Sequence, residues 1–373
     1  AENAQDHLDV TFEVEEQNRN QFTLGGGFSE LEGAYFTGSF ETTNLLGSGE
    51  TVSLAADTGY RTRTFRLAFT EPYFLDRAIT VGGEVSFRRI KYLSYGSFVG
   101  FGQQTQTASF TGGFSVGRFS RLLASYAYRI VDIYDIDEDA LPETDASTTS
   151  SAQETTVPET DYTYYGSAGR RYESSISPSW VRNTVDSPYL PRSGSRLTAN
   201  VQLVGGVLGG TVDFIRPELE LVLFRPFSRR TALGLRAQGG YVRPFGDTTE
   251  IPSYQRYYLG GEYQIRGLQP RTVAPLDSAS GVLEGGNKFL LLNAEGYLDL
   301  IGSLRLVLFF DAGQAYPEGQ GPYWKTMSTS TGAELRFLMP VMNVPFRLIY
   351  AWNPNRDYWQ PATAMKFAVG TTF

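Results

Sequence analysis

The chain has 373 residues, a formal net charge of −8, no cysteine and a single histidine, His7. Disulfides and thiolate metal sites are thereby excluded, a Ser-His-Asp hydrolase would rest on His7 alone, and no basic surface argues for nucleic acid. Apolar residues make up 41% and aromatics 14%, with 40 glycines, yet no apolar run approaches the roughly 20 residues that a membrane helix needs. This composition suits short strands joined by turns, with rings available for membrane-interface girdles.

The sequence starts at Ala1 with neither Met nor a leader and reads as a mature or trimmed product. Leu8 to Glu16 alternates apolar and polar residues as a half-buried strand does, then stops at Gln17-Asn18-Arg19-Asn20. Residues 1–17 are read as the tail of a preceding module, with a first strand of the main domain as the alternative, and residues 18–373 as one domain.

From Gln21 onward, sixteen alternating segments follow one another, separated by turns. They centre near Leu24, Gly38, Leu54, Leu67, Val85, Ala108, Tyr126, Ser177, Val201, Leu221, Leu235, Leu292, Leu308, Leu335, Leu348 and Phe367. An even count suits an antiparallel barrel closed on itself, which leaves no free edge. In Leu304 to Asp311 the even positions are large and apolar, while Arg305 and Asp311 stand on the other face. Phe346, Leu348, Tyr350 and Trp352 likewise oppose Arg347, and Leu197, Ala199, Val201 and Leu203 oppose Arg196, Asn200 and Gln202. A soluble sandwich also alternates. Repetition over so many strands, with full charges on one face and no helix to cover the other, predicts apolar-outward, polar-inward strands around a wet lumen.

Short turns are expected at Leu45 to Gly49, Arg118 to Arg121, Pro226 to Arg229 and Leu300 to Ser303, with long excursions on the opposite rim. One of these, Asp132 to Asp161, is acidic, contains no Lys or Arg and is rich in Ser and Thr at its centre. It reads as a solvated, mobile loop, since its spacing matches no Ca²⁺ loop. The other, Pro244 to Asn287, is too long and too rich in Tyr, Leu, Ile and Gly for a solvated loop. It carries Arg266 between Ile265 and Gly267 and is read as a packed loop delivering that arginine to an acidic partner.

Leu290, Leu292, Ala294 and Leu298 place Glu295 on the inner face, and Asp311 faces inward on the next strand. Around the turn near Ile301 the two carboxylates come within diagonal-neighbour reach. Adjacent buried carboxylates repel unless a cation lies between them, and an arginine fork can bridge both. Ordinary solvated lumen charges and a catalytic carboxylate pair are the alternative readings.

Ile265-Arg266-Gly267-Leu268 resembles the (V/I)-R-G-(F/Y) loop motif of the Omp85 superfamily, with Leu268 in the aromatic position. Phe309-Phe310-Asp311-Ala312-Gly313 resembles its F-x-D-x-G strand motif, and Asn293-Ala294-Glu295 its acidic site on the preceding strand. Asp186 to Gly194, with Pro188 and Pro191, is similar to its D-x-P-x-x-P-x-x-G periplasmic turn. Lys366 to Phe373 resembles an outer-membrane targeting signal. The resemblance implies an all-β, 16-stranded antiparallel transmembrane β-barrel with a long inward-folded extracellular loop, in the bacterial outer membrane. Residues 1–17 would then end the last POTRA module, and Arg266 would reach Glu295 and Asp311.

A BamA-like assembly factor is the implied function: it is no enzyme, and it folds and inserts client outer-membrane proteins at a seam between the first and last strands. The implied partners are unfolded clients, outer-membrane lipids and accessory assembly lipoproteins; no nucleic acid, cofactor or metal is expected. A TamA-like or two-partner secretion pore of the same superfamily is the nearest alternative. A passive porin is a more distant one, against which the long plug loop argues. The seam is expected between Gln21–Ser29 and Met365–Phe373, with Phe22, Leu24, Gly25, Gly26, Gly27 and Phe28 on one side. Phe367, Val369, Gly370 and Phe373 form the other. Three consecutive glycines weaken pairing there, or simply relieve crowding in a curved wall.

Overall fold

The computed structural model describes residues 19–373, apart from 30–31, 46, 48, 138–167, 278–280, 340–343 and 371. The described strands are β1 (Asn20–Ser29), β2 (Gly33–Leu45), β3 (Glu50–Gly59), β4 (Thr62–Glu71), β5 (Ile79–Tyr92), β6 (Phe101–Val116), β7 (Ser120–Tyr134) and β8 (Gly169–Asn183). They continue with β9 (Gly194–Val204), β10 (Phe214–Pro226), β11 (Thr231–Tyr241), β12 (Arg243–Pro244), β13 (Lys288–Asp299), β14 (Leu304–Tyr316), β15 (Ser328–Met339), β16 (Val344–Asn355) and β17 (Thr363–Val369). All belong to one antiparallel sheet, in which the two-residue β12 only braces β10. Sixteen spanning strands remain, and each anticipated segment centre lies inside one of them.

Alternation sets which face each residue takes. On β14, Leu308 is 60% exposed on the outside, whereas Arg305, Val307, Phe309 and Asp311 are buried inside. On β16, Tyr350 and Trp352 point out and Arg347 is fully buried. An outer wall this rich in apolar and aromatic side chains is matched by hydrocarbon. No helix among the described residues is long and apolar enough to cross a membrane.

The loop from 245 to 287 folds into the barrel. Isolated bridges Tyr257–Gly286, Leu259–Val273 and Leu276–Leu283 shape it. Leu259, Ile265, Leu268 and Val273 then pack against Phe98, Phe101, Val131, Ile133 and Leu291 of the wall. Each such burial is worth about 1.5–3 kcal/mol, which orders a segment that has almost no ladder of its own.

The rims depart from expectation in two places. Tyr60 and Arg61 alone join β3 to β4 on the long-loop rim, so not every connection there is long. The acidic stretch also starts with partners that its own composition lacks. Asp132 lies within β7, 3.5 Å from Arg170, and Asp135 meets Lys91 at 3.0 Å. Arg170 and Lys91 come from β8 and β5, outside the stretch itself, and sheet pairing brings them over. Glu138, Asp139, Glu143, Asp145, Glu154, Glu159 and Asp161 lie outside the described residues, as do residues 1–17.

Every neighbouring pair of spanning strands is laddered except one. Among the described residues β1 and β17 come within 8 Å, Cα to Cα, without a ladder between them. The expected closure as far as Phe373 is corrected: β17 has only 7 residues and ends at Val369. Gly370 adopts φ 113°, a left-handed region favourable to glycine, and redirects the chain. Thr372 then turns in to accept a hydrogen bond from Arg336 Nη2 at 3.3 Å, and Phe373 stacks 6.0 Å from Phe224 among Val222, Tyr297 and Val307. The glycine run keeps full register with β2, Gly25 opposite Thr37, Gly26 opposite Phe36 and Gly27 opposite Tyr35. A Cβ on Gly27 would sit 2.6 Å from the Tyr35 ring, so this glycine admits a cross-strand aromatic.

Candidate functional site

The β13–β14 register sets Asn293 opposite Asp311 and Glu295 opposite Phe309, so both acids lie on the inner wall two residues apart. The loop lowers Arg266 onto them. Its Nε and Nη2 donate to Asp311 Oδ2 and Oδ1 at 2.8 and 2.6 Å, and its backbone N–H adds a third bond to Oδ2 at 3.1 Å. Nη1 donates to Glu295 Oε1 at 2.5 Å. The guanidinium carbon lies 3.8 Å from the centre of the Phe309 ring, which gives the motif phenylalanine its place beneath the arginine. Arg266, Glu295 and Asp311 are essentially solvent-free. A buried carboxylate without a partner would cost several kcal/mol, so the three groups are held as one unit.

The loop glycine is required by geometry. Gly267 has φ 91°, and a Cβ there would meet Ala351 Cβ and Asn353 Oδ1 at 2.6 Å. Ile265 and Leu268 on either side are fully buried, and the Leu268 carbonyl accepts from Lys366 Nζ of β17 at 2.9 Å. An aromatic at 268 is therefore unnecessary here, because an aliphatic fills the packed site. Gly313 lets Leu259 approach, since a Cβ there would lie 3.0 Å from Leu259 Cδ1.

Sequence reasoning missed half of this cluster. Glu334 on β15 accepts from Arg266 Nη1 at 3.3 Å, from Arg336 Nε at 2.8 Å, and from Arg347 Nε and Nη2 at 2.9 and 2.8 Å. Arg336 also reaches Glu295 Oε2 at 3.5 Å, to which Tyr297 donates at 2.5 Å. Arg347 Nη2 donates to the Glu262 carbonyl of the loop at 3.1 Å. Asn293 Nδ2 bridges Asp311 Oδ1 and the Gln264 carbonyl at 2.8 and 2.7 Å. Three arginines and three carboxylates thus interlock β13 to β16 with the loop. Alternation in Glu334-Leu335-Arg336-Phe337 could have flagged the inward pair.

The turn before β9 is separate and lies at the opposite rim. Asp186 accepts from the Arg192 N–H at 3.0 Å and from Ser193 Oγ at 3.1 Å, and Gly194 closes it with φ 101°. The Pro191 carbonyl accepts from Arg305 Nη1 at 3.1 Å, and Arg192 pairs with Asp299 at 3.0 Å, which ties the turn to β13 and β14. Pro188 is exposed. Of the seam residues, Phe22 and Leu24 are 79% and 89% exposed, Phe28 and Phe367 are less so, and Phe373 is withdrawn into the lumen. No group of potential metal ligands occurs among the described residues.

A family profile described as the Omp85 superfamily domain matches residues 44–373. The chain belongs to the Omp85 superfamily. It is 28% identical to the outer membrane protein assembly factor BamA of Nitratidesulfovibrio vulgaris, over 99% of this chain and 44% of that one. Identity to BamA of Neisseria meningitidis serogroup B is 23%, over 99% of this chain and 49% of the relative. The Omp85 chain therefore spans about half the length of the curated relatives it matches. Human sorting and assembly machinery component 50 homolog is 25% identical over 76% of this chain. The crystal structure of BamA from Haemophilus ducreyi lacking POTRA domains 1–3 superposes with a TM-score of 0.77 at 17% identity, covering 95% of this chain and 71% of that one. CdiB from Escherichia coli gives 0.63 at 15% identity, covering 95% and 63%. This Omp85 chain is a β-barrel of the bacterial outer membrane.

Proposed function

We propose that this Omp85 barrel is the membrane domain of a BamA-type assembly factor, which folds and inserts client outer-membrane proteins without covalent chemistry. The observation that carries the reading is the unladdered seam between β1 and β17 in a wall that is otherwise laddered throughout. Exposed backbone N–H and C=O groups at such an edge cost several kcal/mol in lipid, so an incoming strand that pairs with them is favoured. Phe22, Leu24, Gly25, Gly26, Gly27 and Phe28 form one lip, and Phe367, Val369 and Gly370 the other. Ile265, Arg266, Gly267 and Leu268, clamped by Glu295 and Asp311 over Phe309 and Gly313, hold the plug loop while the seam works. Residues 1–17 would end a POTRA module, and unfolded clients, outer-membrane lipids and accessory lipoproteins would be the partners.

The absence of native cysteine makes the test direct. Gly26→Cys and Phe367→Cys, introduced into the full-length protein and joined by a short reducible bis-thiol linker, should stop client assembly, and reduction should restore it. Equal assembly by the joined and reduced forms would overturn the seam mechanism.

A further inference from the structure

At the long-loop end of the lumen lies a cavity of about 230 Å³, lined among others by Arg61, Ser94, Gln269 and Arg271. Arg271 has φ 63°, a left-handed backbone that a non-glycine residue adopts only when its surroundings impose it. Its guanidinium carbon lies 4.1 Å from the centre of the Tyr258 ring and 5.0, 5.4 and 5.7 Å from those of Tyr92, Phe98 and Phe101. Among the described residues it has no hydrogen-bond acceptor and no carboxylate, and its Nε and Nη2 are both buried. The rings attract its charge but satisfy neither N–H.

The surrounding wall is fixed before any ligand arrives. Tyr95 and Phe98 exchange backbone hydrogen bonds, Leu283 N–H donates to the Ser97 carbonyl at 2.9 Å, and the Trp359 ring leaves no room for a Cβ on Gly96. Arg61 lines the same space, so two guanidinium groups share one small cavity with no carboxylate among its lining residues. Asp137 stands behind Ser94, whose hydroxyl it accepts. A planar fork with free N–H groups, beside a second positive charge, matches a tetrahedral or planar oxyanion.

We propose that this cavity binds an oxyanion of the phosphate class, clamped by Arg271 and Arg61. The source is either a phosphate-bearing lipid headgroup or free phosphate. The site lies apart from both the Arg266 cluster and the seam, so its test does not depend on client assembly. Calorimetric titration of the folded chain in non-ionic detergent with inorganic phosphate should show saturable binding to one site. Arg271→Gln should weaken it by about tenfold or more, and Arg271→Lys, which keeps charge without the fork, by less. Should Arg271→Gln fail to fold, Arg61→Gln supplies the same comparison. Nanodiscs containing phosphatidic acid, set against nanodiscs of phosphatidylcholine alone, separate the sources: competition with phosphate identifies a headgroup, and its absence a soluble ligand. No saturable heat with the unaltered chain, or equal affinity in the folded variants, would overturn the proposal.

Discussion

Tyr263 of the plug loop donates its phenolic hydrogen to the carbonyl of Val369, the last residue of β17, across 2.6 Å. The loop therefore holds the final strand at its end, next to the turn at Gly370. Tyr263→Phe removes that bond at a cost of about 0.5–1.5 kcal/mol. The expected result is faster amide exchange around Val369 and Gly370 with little change in β13 to β15. Unchanged exchange at the end of β17 would show that the bond carries no load.

Arg266→Ala leaves Glu295 and Asp311 buried without their shared cation. Breaking a buried pair this way costs roughly 3–5 kcal/mol. The urea midpoint should fall and protease should cut within 245–287, while Arg266→Lys, keeping charge but losing the fork, should lie between. An unaltered midpoint in the alanine variant would contradict the cluster's role as an anchor.

Gly267→Ala tests shape with no change of charge. The left-handed backbone alone costs about 1–3 kcal/mol for a non-glycine residue, and the added methyl runs into Ala351 and Asn353. The variant should approach Arg266→Ala in protease sensitivity. A native-like loop in this variant would mean that β16 can yield at that point.

Acid should loosen the Asp186 turn. Burial opposes charge on Asp186, but bonds from the Arg192 and Ser193 N–H groups and the Ser193 hydroxyl outweigh it and hold its carboxyl below the ordinary value of 3.8. A depressed folded value contributes stability above the ordinary value, and that contribution disappears as pH falls through the folded one. Asp186→Asn should thus destabilise the chain at neutral pH, with the gap to the unaltered chain closing as pH falls below the ordinary carboxylate value of 3.8. A gap that persists in acid would assign the effect to something other than ionisation.

The barrel was readable because a period of two, repeated with charges on one face, points to one architecture. Glu295 and Asp311 were readable for the same reason, lying on consecutive strands and two residues apart in register. Alternation gives the inward facing of Glu334, Arg336 and Arg347, but their meeting with Arg266 and Glu295 needed the β14–β15 and β15–β16 registers. The inward fold of Phe373 depends on a single torsion at Gly370 and on ring space beside Phe224. Asp132 and Asp135 read as unpaired because Arg170 comes from the next strand, β8, and Lys91 from β5, beyond β6.

The plug loop that carries Arg266 is hydrogen-bonded to one lip of the seam, β17. Arg347, Lys366 and Val369 all bond to the plug loop, so β16 and β17 share the stiffness of β13 to β15. The laddering of β1 is to β2 alone, and its Phe22 and Leu24 stand in the open. Mechanically, β17 is a fixed doorpost and the β1–β2 hairpin is the leaf. In the seam mechanism proposed above, widening of the gap would displace the N-terminal side, where the chain leads back toward residues 1–18.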